Sequence, residues 1–64
     1  TELIINNNSD EDAVYNIYCS TGNLVYQGKI IRNSDRNITI SQPGIYMLRV
    51  FAQNGMHRKK FLIQ

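Results

Sequence analysis

The chain has almost none of the features that usually stabilise a very small protein. Cys19 is its only cysteine, so no internal disulfide can form, and His57 is its only histidine. A four-ligand zinc site would therefore need several carboxylates. Tryptophan is absent, and a single proline occurs among the 64 residues. Because a chain this short is marginally stable without such help, we expect its stability to come from its core, a neighbouring domain or self-association.

Two further absences limit the partners that the chain can have. No apolar run approaches the ~20 residues that a membrane span needs. The net charge is only +2, and the basic residues gather mostly at Arg58-Lys59-Lys60, whereas a nucleic-acid-binding domain usually has a broader basic surface with interleaved aromatics. We predict no nucleic-acid partner. The chain starts at Thr1 rather than at Met, so we interpret residues 1–64 as one domain excised from a larger secreted protein.

The apolar residues that are present recur with a period of two, in short runs separated by Asn, Asp, Ser and Gly. This pattern is typical of several short β-strands, which we predict at 3–5, 14–19, 24–31, 37–41, 45–52 and 56–63. Gly22 and the pair Asn54-Gly55 predict tight turns that join the second strand to the third and the fifth to the sixth. Too few apolar residues lie between 8 and 15 for a buried helix. The predicted fold is all-β, a small Ig-like antiparallel β-sandwich of about six to seven strands.

The core of this sandwich is predicted from the residues that alternate inward along each strand. They are Ile17, either Leu24 or Val25, Tyr26, Ile30, Ile38, Ile40, Tyr46, Leu48, Val50, Phe61 and Ile63. Such a core is thin, because ordering the backbone opposes the hydrophobic gain at every residue. The hydrogen-bonded ladders between strands are therefore essential to the fold.

No arrangement of residues predicts catalysis, a cofactor or a metal site. Nucleophilic catalysis needs Ser or Cys beside a base and an orienting acid, and nothing in the sequence places Cys19 near His57. Asp10-Glu11-Asp12 lacks the alternating oxygen ligands, central glycine and closing glutamate of a calcium loop, so we interpret it as a solvated loop. Tyr15 and Tyr18 fall on opposite faces of their strand and cannot form one platform for a sugar ring. We predict a domain that is not an enzyme.

Two segments of the sequence resemble a known family. One runs from Val14 to Gly28, and the other from Ile38 to Val50, followed by Asn54-Gly55 and the ending Lys59-Lys60-Phe61-Leu62-Ile63-Gln64. They contain a hydrophobic strand with Tyr, a turn closing in Gly, a Val-Tyr strand, a Gly-aliphatic-Tyr motif, a second Gly turn, and Lys before a short apolar tail. In this order and spacing, the chain is similar to the type A C-terminal sorting domain of the type IX (Por) secretion system.

The resemblance implies a folded tag on a secreted cargo protein. Its implied partners are the preceding cargo domain of the same chain, the outer-membrane secretion machinery, and a sortase-like peptidase that removes the tag. Its implied destination, through the periplasm, is the bacterial cell surface or the extracellular space. The implied sorting residues are Gly44, Tyr46, Lys59, Lys60, Phe61 and Ile63, and the implied structural turn residues are Gly22 and Gly55.

The chain departs from the family pattern at the first hairpin turn. Cys19 stands where Asp or Asn usually closes the turn through a side-chain oxygen, and Asn23 stands where Arg, Lys or Gln usually follows the glycine. We therefore expect Ser20 or Thr21 to close this turn.

Purely structural roles are the alternative interpretation of the same residues. Gly44 would fit a turn, Tyr46 would be a core aromatic with a backbone partner for its hydroxyl, and Lys59 and Lys60 would protect an edge strand. The competing function is a non-catalytic Ig-like accessory or spacer domain that packs against an enzyme or adhesin domain. An exposed last strand would let a receptor bind by β-augmentation, or let two copies form an edge-strand dimer.

Overall fold

Residues 2–53 and 55–64 are described by a computed structural model, which consists of six β-strands in two antiparallel sheets. The strands are β1 (Glu2–Asn7), β2 (Ala13–Cys19), β3 (Leu24–Ile30), β4 (Ser34–Thr39), β5 (Gly44–Ala52) and β6 (Gly55–Ile63). β1 pairs with β4, and the other strands form a second sheet in the order β3-β2-β5-β6. The predicted all-β sandwich and its two predicted hairpins, β2–β3 and β5–β6, are confirmed.

The two-stranded sheet differs most from the prediction. β1 continues past Ile5, because Asn6 pairs with Asp35 and Asn7 with Ser34. β4 accordingly begins three residues earlier than predicted, and it ends at residue 39 rather than 41. Ladder hydrogen bonds use only backbone N–H and C=O groups, so polar residues extend this pairing as well as apolar ones do. Alternation of apolar side chains does not reveal such a stretch.

The two sheets pack against each other through a core of buried apolar residues. The buried residues are Ile5, Ala13, Tyr15, Ile17, Ile30, Ile38, Ile40, Tyr46, Leu48 and Ile63, with Leu3, Cys19, Tyr26, Val50 and Phe61 partly buried against them. The prediction missed Ile5, Ala13 and Tyr15. It was wrong at Leu24 and Val25, each 45% exposed. The β2–β3 register shifts between Ile17 and Tyr18, so Leu24 pairs with Tyr18 on the outer face and the inward alternation of β3 begins only at Tyr26.

A buried asparagine joins three segments at one end of the sandwich. The Nδ2 of Asn7 donates to the carbonyl oxygens of Glu11 at 3.0 Å and Ile30 at 3.1 Å. Its Oδ1 accepts hydrogen bonds from the backbone N of Ser9 at 3.1 Å and from the Ser9 Oγ at 2.8 Å. A buried side chain whose polar atoms are all paired fixes its surroundings. Asn7 therefore ties the end of β1 to the loop that follows it and to the end of β3.

The acidic segment Asp10-Glu11-Asp12 is exposed, as predicted for a solvated loop. It is nevertheless held against the loop after β3, because Asp12 Oδ1 accepts a hydrogen bond from the Arg32 backbone N at 2.9 Å and Asp10 Oδ1 accepts one from Asn33 Nδ2 at 3.2 Å. The backbone N of Asn33 also donates to the Ser9 carbonyl at 3.0 Å. These carboxylates therefore act as turn-stabilising acceptors.

Replacing Asn7 by alanine is expected to lower the free energy of unfolding by about 1–3 kcal/mol, because it leaves buried backbone groups without partners. The measurement is urea unfolding followed by circular dichroism. Asn6→Ala, on the exposed face of the same strand, is the matched control and should stay within about 0.5 kcal/mol of the wild type. Equal losses for the two variants would contradict the role given to Asn7.

Gly28 on β3 makes room for the buried ring of Tyr15. A Cβ at position 28 would lie 2.8 Å from Tyr15 Cε2 and 2.9 Å from its hydroxyl oxygen. Tyr15 is only 3% exposed, so its ring has little space into which it can move. The absence of a side chain at Gly28 is what allows a tyrosine to fill this part of the core.

Gly28→Ala is therefore expected to destabilise the domain by about 1–3 kcal/mol through overpacking. A double-mutant cycle with Tyr15→Leu, measured by urea unfolding, separates this cause from others. The alanine should cost much less when the ring is absent. The same cost in both backgrounds would show that contact with Tyr15 is not the reason for the glycine.

Candidate recognition surface

The Gly44–Tyr46 segment forms the corner at which the chain enters β5. Gly44 has φ +149°, a conformation that favours glycine. Two residues later, Tyr46 is 6% exposed, and its hydroxyl donates to the Gln42 carbonyl at 2.7 Å. The Tyr46 ring stacks on Phe61 of β6, with centroids 5.6 Å apart and planes 20° from parallel. The predicted core tyrosine with a backbone partner is confirmed, whereas Gly44, predicted in a turn, is already the first residue of β5 and pairs with Ile63.

β6 is an edge strand. It pairs with β5 from Gly44–Ile63 at one end to Ala52–Gly55 at the other, and no other strand in the described part of the chain pairs with it. An edge strand presents a row of backbone N–H and C=O groups that can pair with another chain. The expectation that the last ladder stays accessible is confirmed.

The six residues that the resemblance implies for sorting lie together at one end of the β5–β6 hairpin, but they differ in accessibility. Lys59 and Lys60 are exposed, and they lie across from Leu48 and Met47 respectively. Adjacent strand residues point to opposite faces, so the two lysines flank the edge from both sides. Ile63, which is 5% exposed and pairs with Gly44, anchors the end of β6 in the core. The lysines are therefore accessible to a receptor, whereas the apolar members hold the strand in place.

The first hairpin turn, where the chain departs from the family pattern, is closed by one of the two hydroxyl residues predicted to close it. Gly22 has φ +91°, and its backbone N donates to the Cys19 carbonyl at 2.9 Å. The Thr21 Oγ1 accepts a hydrogen bond from Asn23 Nδ2 at 3.2 Å and lies 3.0 Å from Cys19 Sγ. The hydrogen bond with the Thr21 hydroxyl lowers the pKa of Cys19. Thr21 therefore supplies the side-chain oxygen of this turn.

The second predicted turn lies partly outside the described residues, because Asn54 is not among them. Gly55 has φ +138° and pairs with Ala52. The tight turn predicted at Asn54-Gly55 therefore stays a prediction.

The outer face of the four-stranded sheet contains charged residues that the strand pattern did not single out. Arg49 of β5 lies across from Arg58 of β6 and from Asn16 of β2. Its guanidinium carbon lies 5.1 Å from the centroid of the Tyr18 ring, within cation–π range. The sequence alone gives little indication that these residues lie together, because their grouping depends on the register of three strands.

In residues 2–53 and 55–64, no three His, Cys, Asp or Glu side chains are grouped so as to hold a metal ion. Within the same ranges, no helix has the length and apolar character needed to cross a membrane.

A small β-sandwich with an open edge strand belongs to the class of domains that another protein can recognise through their backbone. The comparison with family models agrees. The model described as the secretion system C-terminal sorting domain matches residues 1–64, and the chain belongs to this family. The domain is a sorting signal of type IX secretion cargo, which is exported to the cell surface or the extracellular space. Searches of curated proteins and of solved structures gave no significant match.

Tyr46→Phe tests the corner at the start of β5. Loss of the hydrogen bond to Gln42 is expected to lower the free energy of unfolding by about 1 kcal/mol, because the carbonyl loses its partner while the ring contact with Phe61 remains. Urea unfolding measures the change. The control is Tyr26→Phe, since the Tyr26 hydroxyl has no partner among the described residues and should be dispensable. Similar effects at both positions would argue against a special role for the Tyr46 hydroxyl.

Proposed function

We propose that the secretion machinery recognises this sorting domain at the open edge of β6, by adding a strand of its own, with Lys59 and Lys60 as the side-chain contacts. The observation that carries the proposal is that, among residues 2–53 and 55–64, β6 pairs on one side only, while both lysines beside that edge are exposed. Strand addition gives affinity through main-chain hydrogen bonds and specificity through alternate side chains. In this proposal the domain acts by being bound and catalyses nothing.

The remaining sorting residues act indirectly. Gly44 and Tyr46 fix the start of β5, and Phe61 and Ile63 pack against the same end of the core. A receptor strand needs a template whose backbone is already extended and immobile, because ordering it on binding would cost affinity. These four residues therefore hold the edge of β6, which the two lysines flank, in an extended conformation.

Charge favours a different protein over a second copy of this one as the added strand. Antiparallel pairing of two β6 strands centred on Lys59 would place Arg58 across from Lys60 on each side. Like charges directly opposite each other are destabilising in a sheet. An edge-strand dimer is therefore disfavoured, whereas a receptor strand with acidic residues is favoured.

Family membership favours sorting over the accessory or spacer role. The outer-membrane machinery and its sortase-like peptidase remain the proposed partners, together with a cargo domain that precedes Thr1 in the same chain. A sugar-binding role has less support, because Tyr15 is 3% exposed and does not share a face with Tyr18.

The double variant Lys59→Gln/Lys60→Gln should reduce export severalfold, because it removes both charged contacts without changing the core. Residues 1–64 are fused behind a periplasmic reporter in a strain that has a type IX system, and surface-accessible and periplasmic reporter are compared. The control Arg32→Gln/Arg36→Gln removes the same charge from exposed positions away from β6 and should be exported normally. Normal export of the lysine variant, with folding verified by circular dichroism, would overturn the role of the lysines.

Proline replacements test the backbone part of the proposal. Consecutive amides of an edge strand point alternately toward the neighbouring strand and away from it. One of the two variants Lys59→Pro and Lys60→Pro loses an amide that points away from β5. That variant should keep more of its thermal stability than the other, because it loses no hydrogen bond of the β5–β6 ladder. Its export should be lower than that of the matching glutamine variant. Equal export for the proline and glutamine variants at that position would contradict strand addition.

A further inference from the structure

Charge is strongly segregated in this domain. The four strands of the larger sheet contain no aspartate or glutamate, but they carry Lys29, Arg49, Arg58, Lys59 and Lys60. All the acidic residues lie elsewhere, on β1, on β4 and in the loop between β1 and β2, as Glu2, Asp10, Glu11, Asp12 and Asp35. Although the net charge is only +2, the larger sheet is basic, and the acidic residues lie on the smaller sheet and in the β1–β2 loop. Such a distribution orients the domain in the field of an acidic partner.

The outer face of the basic sheet also carries several exposed apolar residues. Exposed apolar residues alternate across the strands with the cations: Val14 (47%), Ile45 (48%), Phe51 (40%), Met56 (44%) and Leu62 (59%). The register places Ile45 across from Leu62, Met47 across from Lys60, and Phe51 across from Met56. Contiguous exposed apolar surface with polar residues around it marks interaction sites on soluble domains.

Arg49 lies at the centre of this face, where its positive charge and one of its hydrogen-bond donors are not compensated by the neighbouring groups that the structure describes. It faces Arg58 directly across the β5–β6 ladder, and like charges at such a position repel. Its Nε is buried and has no hydrogen-bond partner among the described residues. A buried donor without a partner is costly, and a guanidinium fits a carboxylate through two parallel hydrogen bonds. The buried Nε is closed to an incoming group, so an added carboxylate would pair with the terminal nitrogens of the Arg49 guanidinium and compensate its positive charge.

A depression of about 600 Å³ gives access to this group. It is lined by Tyr18, Ile45, Met47, Arg49 and Lys60, together with the first hairpin turn. Apolar side chains and an aromatic ring thus stand beside two cationic groups, which suits an acidic side chain with apolar neighbours.

We propose that this outer face docks a second protein that presents a carboxylate beside apolar side chains. The carboxylate pairs with Arg49 and Lys60 in the depression, and the apolar groups pack on Ile45, Met47 and Leu62. This surface shares Lys60 with the recognition proposed at β6, but it uses side chains of the outer face and not the backbone edge, so the proposal does not depend on strand addition there.

The composition of the face favours a protein over a membrane or a free anion. Tyr, Phe, Met and Arg are enriched at protein–protein interfaces, and this face presents Tyr18, Phe51, two methionines, and Arg49 with Arg58. Arg49 is half-buried and lies over the Tyr18 ring, so its charge is recessed. A single projecting carboxylate can enter such a depression, whereas a flat layer of headgroups meets the surrounding apolar side chains first.

The test is a nuclear magnetic resonance titration of the ¹⁵N-labelled 64-residue chain with the blocked peptide acetyl-Glu-Phe-Glu-Leu-Asp-amide. Shifts are expected at the amides of Tyr18, of 45–49 and of 60–62. The analogue with Gln and Asn in place of the acids should cause none. Arg49→Gln should weaken binding by about tenfold or more, tenfold being the lower end of the range for hydrogen bonds to charged groups. Arg36→Gln, an identical replacement on β4 outside this face, should bind like the wild type.

Several outcomes would overturn the proposal. Unchanged affinity of a folded Arg49→Gln variant would do so, as would equal binding of the neutral peptide. Lys60→Gln, at an exposed position, provides the same test should the Arg49 variant fail to fold. Inorganic phosphate and phosphatidylglycerol vesicles are titrated at the same ionic strength. Stronger effects of either on the same amides would assign the face to a free anion or a lipid instead. Because these measurements use no secretion system, their failure is distinguishable from failure of recognition at β6.

Discussion

The β5–β6 ladder is the interaction on which the accessible part of this domain depends. In the part of the chain that the structure describes, β5 is paired on both sides, with β2 and with β6, whereas β6 is paired with β5 alone. Every feature that β6 offers to a partner therefore relies on one row of backbone hydrogen bonds and on the side chains that reinforce it. The Tyr46–Phe61 stack and the burial of Ile63 do so at the end of the strand. This is why a core of modest size can still present a rigid edge.

Positive charge along β6 has two effects that reinforce each other. Cations on an edge strand oppose pairing with identical strands, which protects a small domain from aggregation. The same cations favour an acidic partner and increase the rate at which it is found. In the proposed recognition by strand addition, the β6 edge must remain unpaired until it meets the receptor, and a like-charged edge satisfies that requirement without covering the backbone.

The alternation of apolar side chains, together with turn residues such as Gly22, predicts the strands, both hairpins and most of the core. Three kinds of feature cannot be predicted in this way. The polar ends of β1 and β4 pair through backbone alone, and the register shift after Ile17 turns Leu24 outward although the pattern remains apolar. The roles of Asn7 and Arg49 depend on which segments the fold brings beside them. Of the candidate site, Gly44, Tyr46 and the lysines were recognisable from motif order, whereas the outer face needed the register of three strands.

The pairing of the first and last strands limits the distance between Glu2 and Ile63. Glu2 lies across from Thr39, and Ile63 lies across from Gly44. Thr39 and Gly44 are five peptide units apart, so their Cα atoms are separated by at most about 18 Å. With about 5 Å for each of the two cross-strand pairs, a cargo domain joined ahead of Glu2 would emerge within about 30 Å of the tail of β6. A receptor holding that tail would then hold the cargo junction within reach of any peptidase associated with it, without reorienting the domain.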